Sequence, residues 1–428
     1  MMDRGQRMQT HRTNPTFARW LRRAAFVVAA AVLGACGGGG GSDSGSTGNA
    51  NSPNGDGGPS TQQPTAPNAV TVTVTRGVQG VPNIPAVSVT VCVPGTSTCQ
   101  IVGNVQVDTE SSGLRLLASA MPAVAGALPA GHGDVSGTLA ECEQFADGYT
   151  WGSIRSADVT IGGKTAGAVP IQVIGDLPAS TVPTDCQGAG PAENTQSDLG
   201  VNGILGIGVA PTDCAQCAQS TSMQLYYACP NGANCGDTTV PLAQQAANPA
   251  ARFTTDNNGV ILQLPAIDAG GAPSATGTLW FGIGTQTNNT LTATQRFATD
   301  GAGDFVANFN GARLVTFLDS GSNGLYFDDG ALPLCGGNSG LQGFYCPSSP
   351  QTLGATLTGI DGATSASVSF NVGNAATLIH SGNFALDNLA GTLGLGALDL
   401  GLPFFYGRTV AYGFDQRASG GPAPFVAF

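Results

Sequence analysis

Charge is scarce in this chain. Only 10% of its 428 residues are Asp, Glu, Lys or Arg, with 15 basic side chains against 27 acidic ones and Lys164 the single lysine. Such a surface excludes nucleic acid as a partner, because neutralising a phosphate backbone needs clustered basic groups. Histidine is scarcer still, at three. Neither His132 nor His380 lies in a Gly-x-Ser-x-Gly or metal-binding context, so a serine triad and a zinc hydrolase both lack their base or ligands. The acidic spots Asp328-Asp329 and Asp300 to Asp304 lack the full ligand series of a calcium loop and read as solvated turns. No metal or cofactor is expected. No stretch shows a sustained helical stripe, although Ser222 to Ala228 and Pro241 to Ala247 have the makings of short helices. Glycine (64), proline (26) and a 41% hydrophobic content are what the chain does have. That composition suits many short strands joined by tight turns around a real core, and a mainly β fold follows.

The N-terminus reads as an export signal. Basic Arg19, Arg22 and Arg23 precede an apolar run from Ala24 to Val32, which is too short to span a membrane, where about 20 residues are needed. Leu33-Gly34-Ala35-Cys36 follows and looks like the lipobox of bacterial lipoproteins, in which the cysteine is lipidated and becomes the new N-terminus. Residues 1–36 are therefore expected to be a signal, with Cys36 the membrane anchor at the periplasmic face or the cell surface. Residues 37–68 hold Gly, Ser, Asn, Pro and Thr and too little apolar surface to fold, as befits a tether. Without the signal the chain keeps nine basic and 26 acidic side chains, a formal balance of −17. That surface tolerates acid, since protonating carboxylates relieves its self-repulsion.

Eleven cysteines less the lipidated one leave ten, an even number in an oxidising compartment, enough for five disulfides. Proximity suggests Cys92 with Cys99, Cys214 with Cys217, Cys229 with Cys235 and Cys335 with Cys346, leaving Cys142 and Cys186 for each other. Spacing leaves the connectivity open, and Cys214-x-x-Cys217 also has the spacing of a redox pair or half a zinc site.

Apolar alternation marks strands at Val70 to Val74, Val87 to Cys92, Ile101 to Val107, Val159 to Ile161, Val260 to Leu264, Leu314 to Leu318, Val368 to Val372 and Thr409 to Phe414. Within this pattern lies a repeat. Val107-Asp108-Thr109-Glu110-Ser111-Ser112-Gly113-Leu114 aligns with Leu318-Asp319-Ser320-Gly321-Ser322-Asn323-Gly324-Leu325. Each is an apolar strand running into Asp, a hydroxyl residue and then Gly-Leu. Each is followed by an apolar pair ending in glycine, Ile204-Leu205-Gly206 and Leu400-Gly401.

The doubled motif resembles that of pepsin-like aspartic proteases, whose two lobes each contribute one aspartate from an Asp-Thr/Ser-Gly turn crossed by an apolar-apolar-Gly segment. Phe145-Ala146-Asp147-Gly148, with Tyr149, Trp151 and Asp158 to Gly163, looks like the flap hairpin. Asn202 to Gly208 and Gly401 to Asp415 resemble further family segments, so the likeness covers both lobes in islands from about residue 70 to the end. It is similar as well to a bacterial lipoprotein family sharing the doubled motif, which implies no activity.

The resemblance implies a two-lobed architecture, lobes at 69–284 and 285–428, with an interlobe cleft. It makes Asp108 and Asp319 the catalytic pair, supported by Thr109, Ser111, Ser320, Gly321 and Ser322, and a peptide or protein the substrate of a monomeric enzyme. Two carboxyl groups that share a proton can hydrolyse a peptide without metal, one taking a proton from water while the other donates to the carbonyl. Two residues depart from the family. Glu110 stands in place of the motif glycine, adding a third acid expected to disturb the turn and the shared proton. Phe145 stands where the flap has tyrosine, leaving Tyr149 or Trp151 to supply the missing polar group. The alternative is a non-catalytic envelope protein that binds peptide, protein or glycan in the same cleft.

Overall fold

The computed structural model describes residues 66–131, 137–337, 339–392, 394 and 396–428. The signal, Cys36, nearly all of the tether and His132 lie outside the described residues. Among the described residues strands dominate, in one sheet of 15 strands and one of seven. Among the described residues no helix is long and apolar enough to cross a membrane.

The two halves repeat one strand arrangement. The strand Cys99–Asp108 runs parallel to Gly203–Ile207, with Val107 opposite Leu205 and Asp108 opposite Gly206. Ala312–Asp319 runs parallel to Ala397–Gly401 in the same register, with Leu318 opposite Leu400 and Asp319 opposite Gly401. On its other side each crossing strand meets the chain that has turned back after the aspartate, pairing Leu114 with Leu205 and Leu325 with Leu400. The glycines of the crossing strands are required by this close approach. A Cβ on Gly206 would lie 2.7 Å from Ser111 Oγ, and one on Gly401 would lie 2.0 Å from the Gly324 carbonyl.

Beneath the two lobes the large sheet runs continuously through Ala69–Thr75, Ala275–Phe281, Gly259–Gln263, Thr409–Gly413, Phe425–Ala427 and Arg296–Ala298. Strands from both ends of the chain thus share one ladder. One apolar cluster, from Val72 and Val107 to Phe305, Leu400 and Tyr412, passes through this sheet and joins the halves. The chain is already anchored at the end of the expected tether, where buried Asn68 donates to the Phe281 carbonyl at 3.1 Å.

The strands expected from alternation are all present, several of them longer than expected. Alternation missed the start of Tyr149–Ile161 and all of Lys164–Ile174, Phe305–Phe309 and Gln351–Thr358. The expected helix at Ser222 to Ala228 is instead the strand Tyr226–Cys229, which pairs with Thr138–Gln144 and buries two tyrosines. Pro241 to Ala247 holds only a single 3-10 turn, Leu242–Gln244. All five disulfides are formed, four in the pairs that proximity suggests and the fifth, Cys142–Cys186, between the two cysteines left over. Cys214 and Cys217 are bonded to each other and buried, so a structural disulfide replaces the redox or zinc alternative.

A buried asparagine ties the N-terminal strands to the second lobe. Asn83 donates to the carbonyls of Asn323 and Leu386, both at 2.8 Å, and accepts from the Leu386 amide at 2.8 Å and the Tyr406 hydroxyl at 2.9 Å. Its φ of 61° is a left-handed conformation that asparagine tolerates better than alanine. Asn83→Ala strands four buried partners and strains the backbone, so it is expected to cost about 3–5 kcal/mol. Urea unfolding should show a lower midpoint, and an unchanged midpoint would remove Asn83 as an interlobe clamp.

Candidate active site

The two aspartate turns face each other and are bonded across their backbones. The Thr109 hydroxyl donates to the Leu318 carbonyl at 3.0 Å and accepts from the Ser320 amide at 2.9 Å, while the Ser320 hydroxyl donates to the Val107 carbonyl at 2.8 Å. Both hydroxyl residues are buried, so these bonds are sheltered from water. Tyr412, rising from the sheet below, donates to the same Leu318 carbonyl at 2.7 Å.

Each carboxyl group is held in the same way by its own turn. Asp108 Oδ1 accepts from the Glu110 amide at 2.9 Å, and its Oδ2 accepts from the Ser111 hydroxyl. Asp319 Oδ1 accepts from the Gly321 amide at 2.7 Å, and its Oδ2 accepts from the Ser322 hydroxyl at 2.7 Å. The two carboxyl groups lie side by side. Gly321 shows how closely they approach, because a Cβ there would stand 2.9 Å from Asp108 Oδ1 and 3.0 Å from Asp319 Oδ1. Burial and the neighbouring Asp108 charge push Asp319 well above the usual carboxylate range. Burial and a like-charged neighbour thus favour the protonated form of Asp319.

Glu110 does not disrupt its turn. Its amide takes the same role as that of Gly321, and neither residue has a left-handed φ, so glycine is not demanded by the backbone at this position. Glu110 Oε2 reaches the turn after Asp300, where a Cβ on Gly303 would stand 3.4 Å away. Burial, with Asp304, Asp319, Asp108 and Asp300 around it, pushes Glu110 well above the ordinary carboxylate value. Its protonated, uncharged form is thereby favoured beside the pair. Asp300 itself caps its turn, accepting from the amides of 302 to 304.

The expected flap is a hairpin of Thr138–Gln144 and Tyr149–Ile161, closed by the Phe145 amide on the Gly148 carbonyl at 2.8 Å. Its tip residue Asp147 lines a cleft of about 270 Å³ together with Gln106, Glu193, Gly321 and Asn323. Gln106 donates to the Gly321 carbonyl at 2.8 Å, which joins the cleft wall to the second turn. Glu193, pushed up to about 9 by burial and by Asp147, forms a second acid pair with it under the flap. Gly148 must be small, since a Cβ there would stand 2.7 Å from Glu193 Oε1. Trp151 does not supply the missing flap hydroxyl's role. It is fully buried in a side core with Cys142, Cys186 and Tyr227, its indole donating to Thr181 at 3.1 Å. Tyr149 is buried in that same core. Alternation along the strand turns both to the face away from the cleft. His380 lies at the surface, its ring against the Ala376 carbonyl.

Two acidic features were not read from the sequence. Arg115, fully buried just behind the Asp108 turn, is bonded through Nη2 to Glu141 at 2.9 Å, Asp213 at 3.1 Å and Glu143 at 3.2 Å. Burial alone would lower its basicity, but these carboxylates hold the guanidinium charged. They stand close enough together to suggest a metal site. Arg115 Nη2 already touches all three, so the guanidinium occupies the place between them. Arg115 Nη1 donates to the Ser112 carbonyl at 3.0 Å, bracing the turn. The second feature is Asp399, buried on the crossing strand of the second lobe. In both cases the visible signal is a lone charged residue inside an apolar strand, Leu114-Arg115-Leu116 and Leu398-Asp399-Leu400. Buried charges of this kind need partners.

A family model described as "Protein of unknown function (DUF3443)" matches residues 64–428, and the chain belongs to that family. No curated protein matches the sequence. Among solved structures, the chain is similar to the crystal structure of aspartic proteinase from Irpex lacteus. The two share 15% identity at a TM-score of 0.43, over 84% of this chain and 97% of that one.

These buried acids set the pH dependence of stability. Asp319, Asp399, Asp213, Glu110 and Glu193 are all raised in the fold, chiefly by burial. The folded chain holds their protons more tightly than the unfolded chain does, so unfolding releases protons and stability falls as pH rises from about 4 towards about 9. Thermal melts should give a Tm at pH 8.5 lower than at pH 4.5 by on the order of 5 °C. A Tm that rises over this window would contradict the buried-acid assignment.

Proposed function

We propose that this member of the DUF3443 family is an acid-active aspartic endopeptidase of the bacterial envelope, held at the membrane by a lipid on Cys36. The observation that carries the reading is the paired hydrogen-bonded turns that bring the Asp108 and Asp319 carboxyl groups together against Gly321. That geometry suits a pair holding one proton. One carboxylate takes a proton from a water molecule as it attacks the peptide carbonyl carbon, and the other delivers its proton to the carbonyl oxygen. Collapse of the tetrahedral species then breaks the C–N bond, with a proton passed to the departing nitrogen. Asp147 at the flap tip lines a cavity together with Gly321 of the second aspartate turn, which supports a flap standing near the pair. The Glu110 amide still donates to Asp108 Oδ1, which supports the reading as far as the turn's geometry is concerned.

Peptide-library digestion at about pH 4 tests the reading. Cleavage is expected, blocked by pepstatin-type inhibitors, with Asp319→Ala and Asp108→Ala each lowering kcat by at least about a thousandfold while the fold persists. No cleavage by the wild type, but cleavage by Glu110→Gly, would mean this copy has lost activity. Silence from both proteins favours a binding role for the cleft.

The anchor is tested separately. Metabolic labelling with a radioactive fatty acid should mark the wild type and not Cys36→Ser, which should leave the membrane fraction. Equal labelling of both would place any lipid elsewhere.

A further inference from the structure

The cleft under the flap is lined by three acids and, among the described residues, by no base. Asp147 at the hairpin tip, Glu193 and Asp198 all stand on its wall. Glu193 is the most buried of them, at 8% exposed. Two backbone bonds lock it beneath the hairpin, the Tyr149 amide donating to the Pro191 carbonyl at 3.0 Å and the Glu193 amide to the Tyr149 carbonyl at 2.8 Å. Its carboxyl is packed against the turn, where a Cβ on Gly148 would stand 2.7 Å from Oε1. Among the described residues neither Glu193 nor Asp147 forms an ion pair with a basic side chain. The charged groups that face Glu193 are the carboxyls of Asp147 and Asp198. A carboxyl nine-tenths buried among other acids lacks the countercharge that burial demands.

The shape of the cleft says what would supply it. A metal ion needs its ligand oxygens to converge, and among the described residues the three acids that do so are Glu141, Glu143 and Asp213, away from this cleft. The cleft acids stand apart around a space of about 270 Å³, which suits one long side chain with several N–H donors. Val81, Ile84 and Leu199 complete the wall with apolar surface for a methylene stem. Gly321 lines the same cleft and lies against both aspartate carboxyls, so a side chain seated here belongs to a residue beside the bond presented to the pair. We propose that this cleft is a subsite for the basic side chain of a bound peptide, arginine before lysine, whose cation is the missing countercharge of Glu193 and Asp147. That the peptide is then cut rests on the peptidase reading, whereas the subsite itself does not. Without a cation, burial and Asp147 push Glu193 up to about 9. A cation beside it acts in the opposite direction, so docking releases a proton and affinity rises with pH between about 5 and 8. Asp147, itself raised by burial, and exposed Asp198 titrate with it, while Tyr326 beyond Asp147 is raised well above this window.

Calorimetric titration of the Asp319→Ala chain, in which turnover is removed, tests the subsite with acetyl-Ala-Arg-Ala-amide and its citrulline counterpart, a neutral isostere. At about pH 7 the arginine peptide is expected to bind at least about tenfold more tightly and to release a proton on binding. Glu193→Gln and Asp147→Asn are each expected to cut that preference to about threefold or less. Unchanged affinity for the citrulline peptide shows that the cleft of each variant is intact. Equal affinity for the two peptides, binding of neither, or a preference that survives the double variant would overturn the proposal. The wild type is then offered longer peptides carrying either residue. If it cuts nothing while the arginine preference holds in the Asp319→Ala chain, the peptidase reading falls and the subsite stands. If it cuts both kinds equally at about pH 6, the subsite falls and the peptidase reading stands.

Discussion

Everything at the centre of this molecule depends on holding two carboxyl groups against each other where water would keep them apart. The force that does so is not between the carboxyls. It is the set of buried bonds from Thr109 and Ser320 to the backbone of the opposite turn, which fix the two strand ends in one position. Like charges at such a distance repel, and the fold answers by retaining a proton and by aiming amide and hydroxyl donors at each carboxyl. The continuous sheet beneath, the Asn83 contacts and the Tyr412 hydroxyl all act to keep that juxtaposition from relaxing.

Around this pair the two halves have diverged in charge while keeping their backbone. The first lobe places Arg115 behind its aspartate turn and surrounds it with Glu141, Glu143 and Asp213. The second has Tyr326 at the matching position and brings its acid from the crossing strand, as Asp399. Glu110 and Gly321 differ in the same spirit. The glycine is needed because a Cβ would press on both carboxyls, whereas the glutamate side chain finds room towards Gly303. A cleft rich in raised acids, Asp147 and Glu193 among them, belongs to a molecule built to keep its protons.

Much of this was legible in order of residues. The doubled Asp-hydroxyl motif and the apolar-Gly crossing segments announced two equivalent turns, because the close strand approach at Gly206 and Gly401 leaves no room for a side chain and so marks the sequence. Even cysteine number and short spacings announced the disulfides. Residues whose role depends on distant partners were not legible. Arg115 and Glu141 are 26 positions apart, and Arg115 and Asp213 are 98 apart. The Tyr226–Cys229 strand was mistaken for helix because its pairing partner, Thr138–Gln144, lies far back in the chain. Trp151 looked available to the cleft until its strand's alternation turned it into the Cys142–Cys186 core.

The sequence by itself determined which two aspartates are equivalent, that strands and turns would carry them and which cysteines would bond locally, since each of these follows from spacing and side-chain size along the chain. Only the tertiary structure decided that the two carboxyls meet, that Glu110 leaves its turn intact and that Asp399 is buried opposite Tyr326. Those outcomes depend on where remote strands bring buried charge together, and the cost of burying a charge is set by its neighbours in space, which the order of residues does not state.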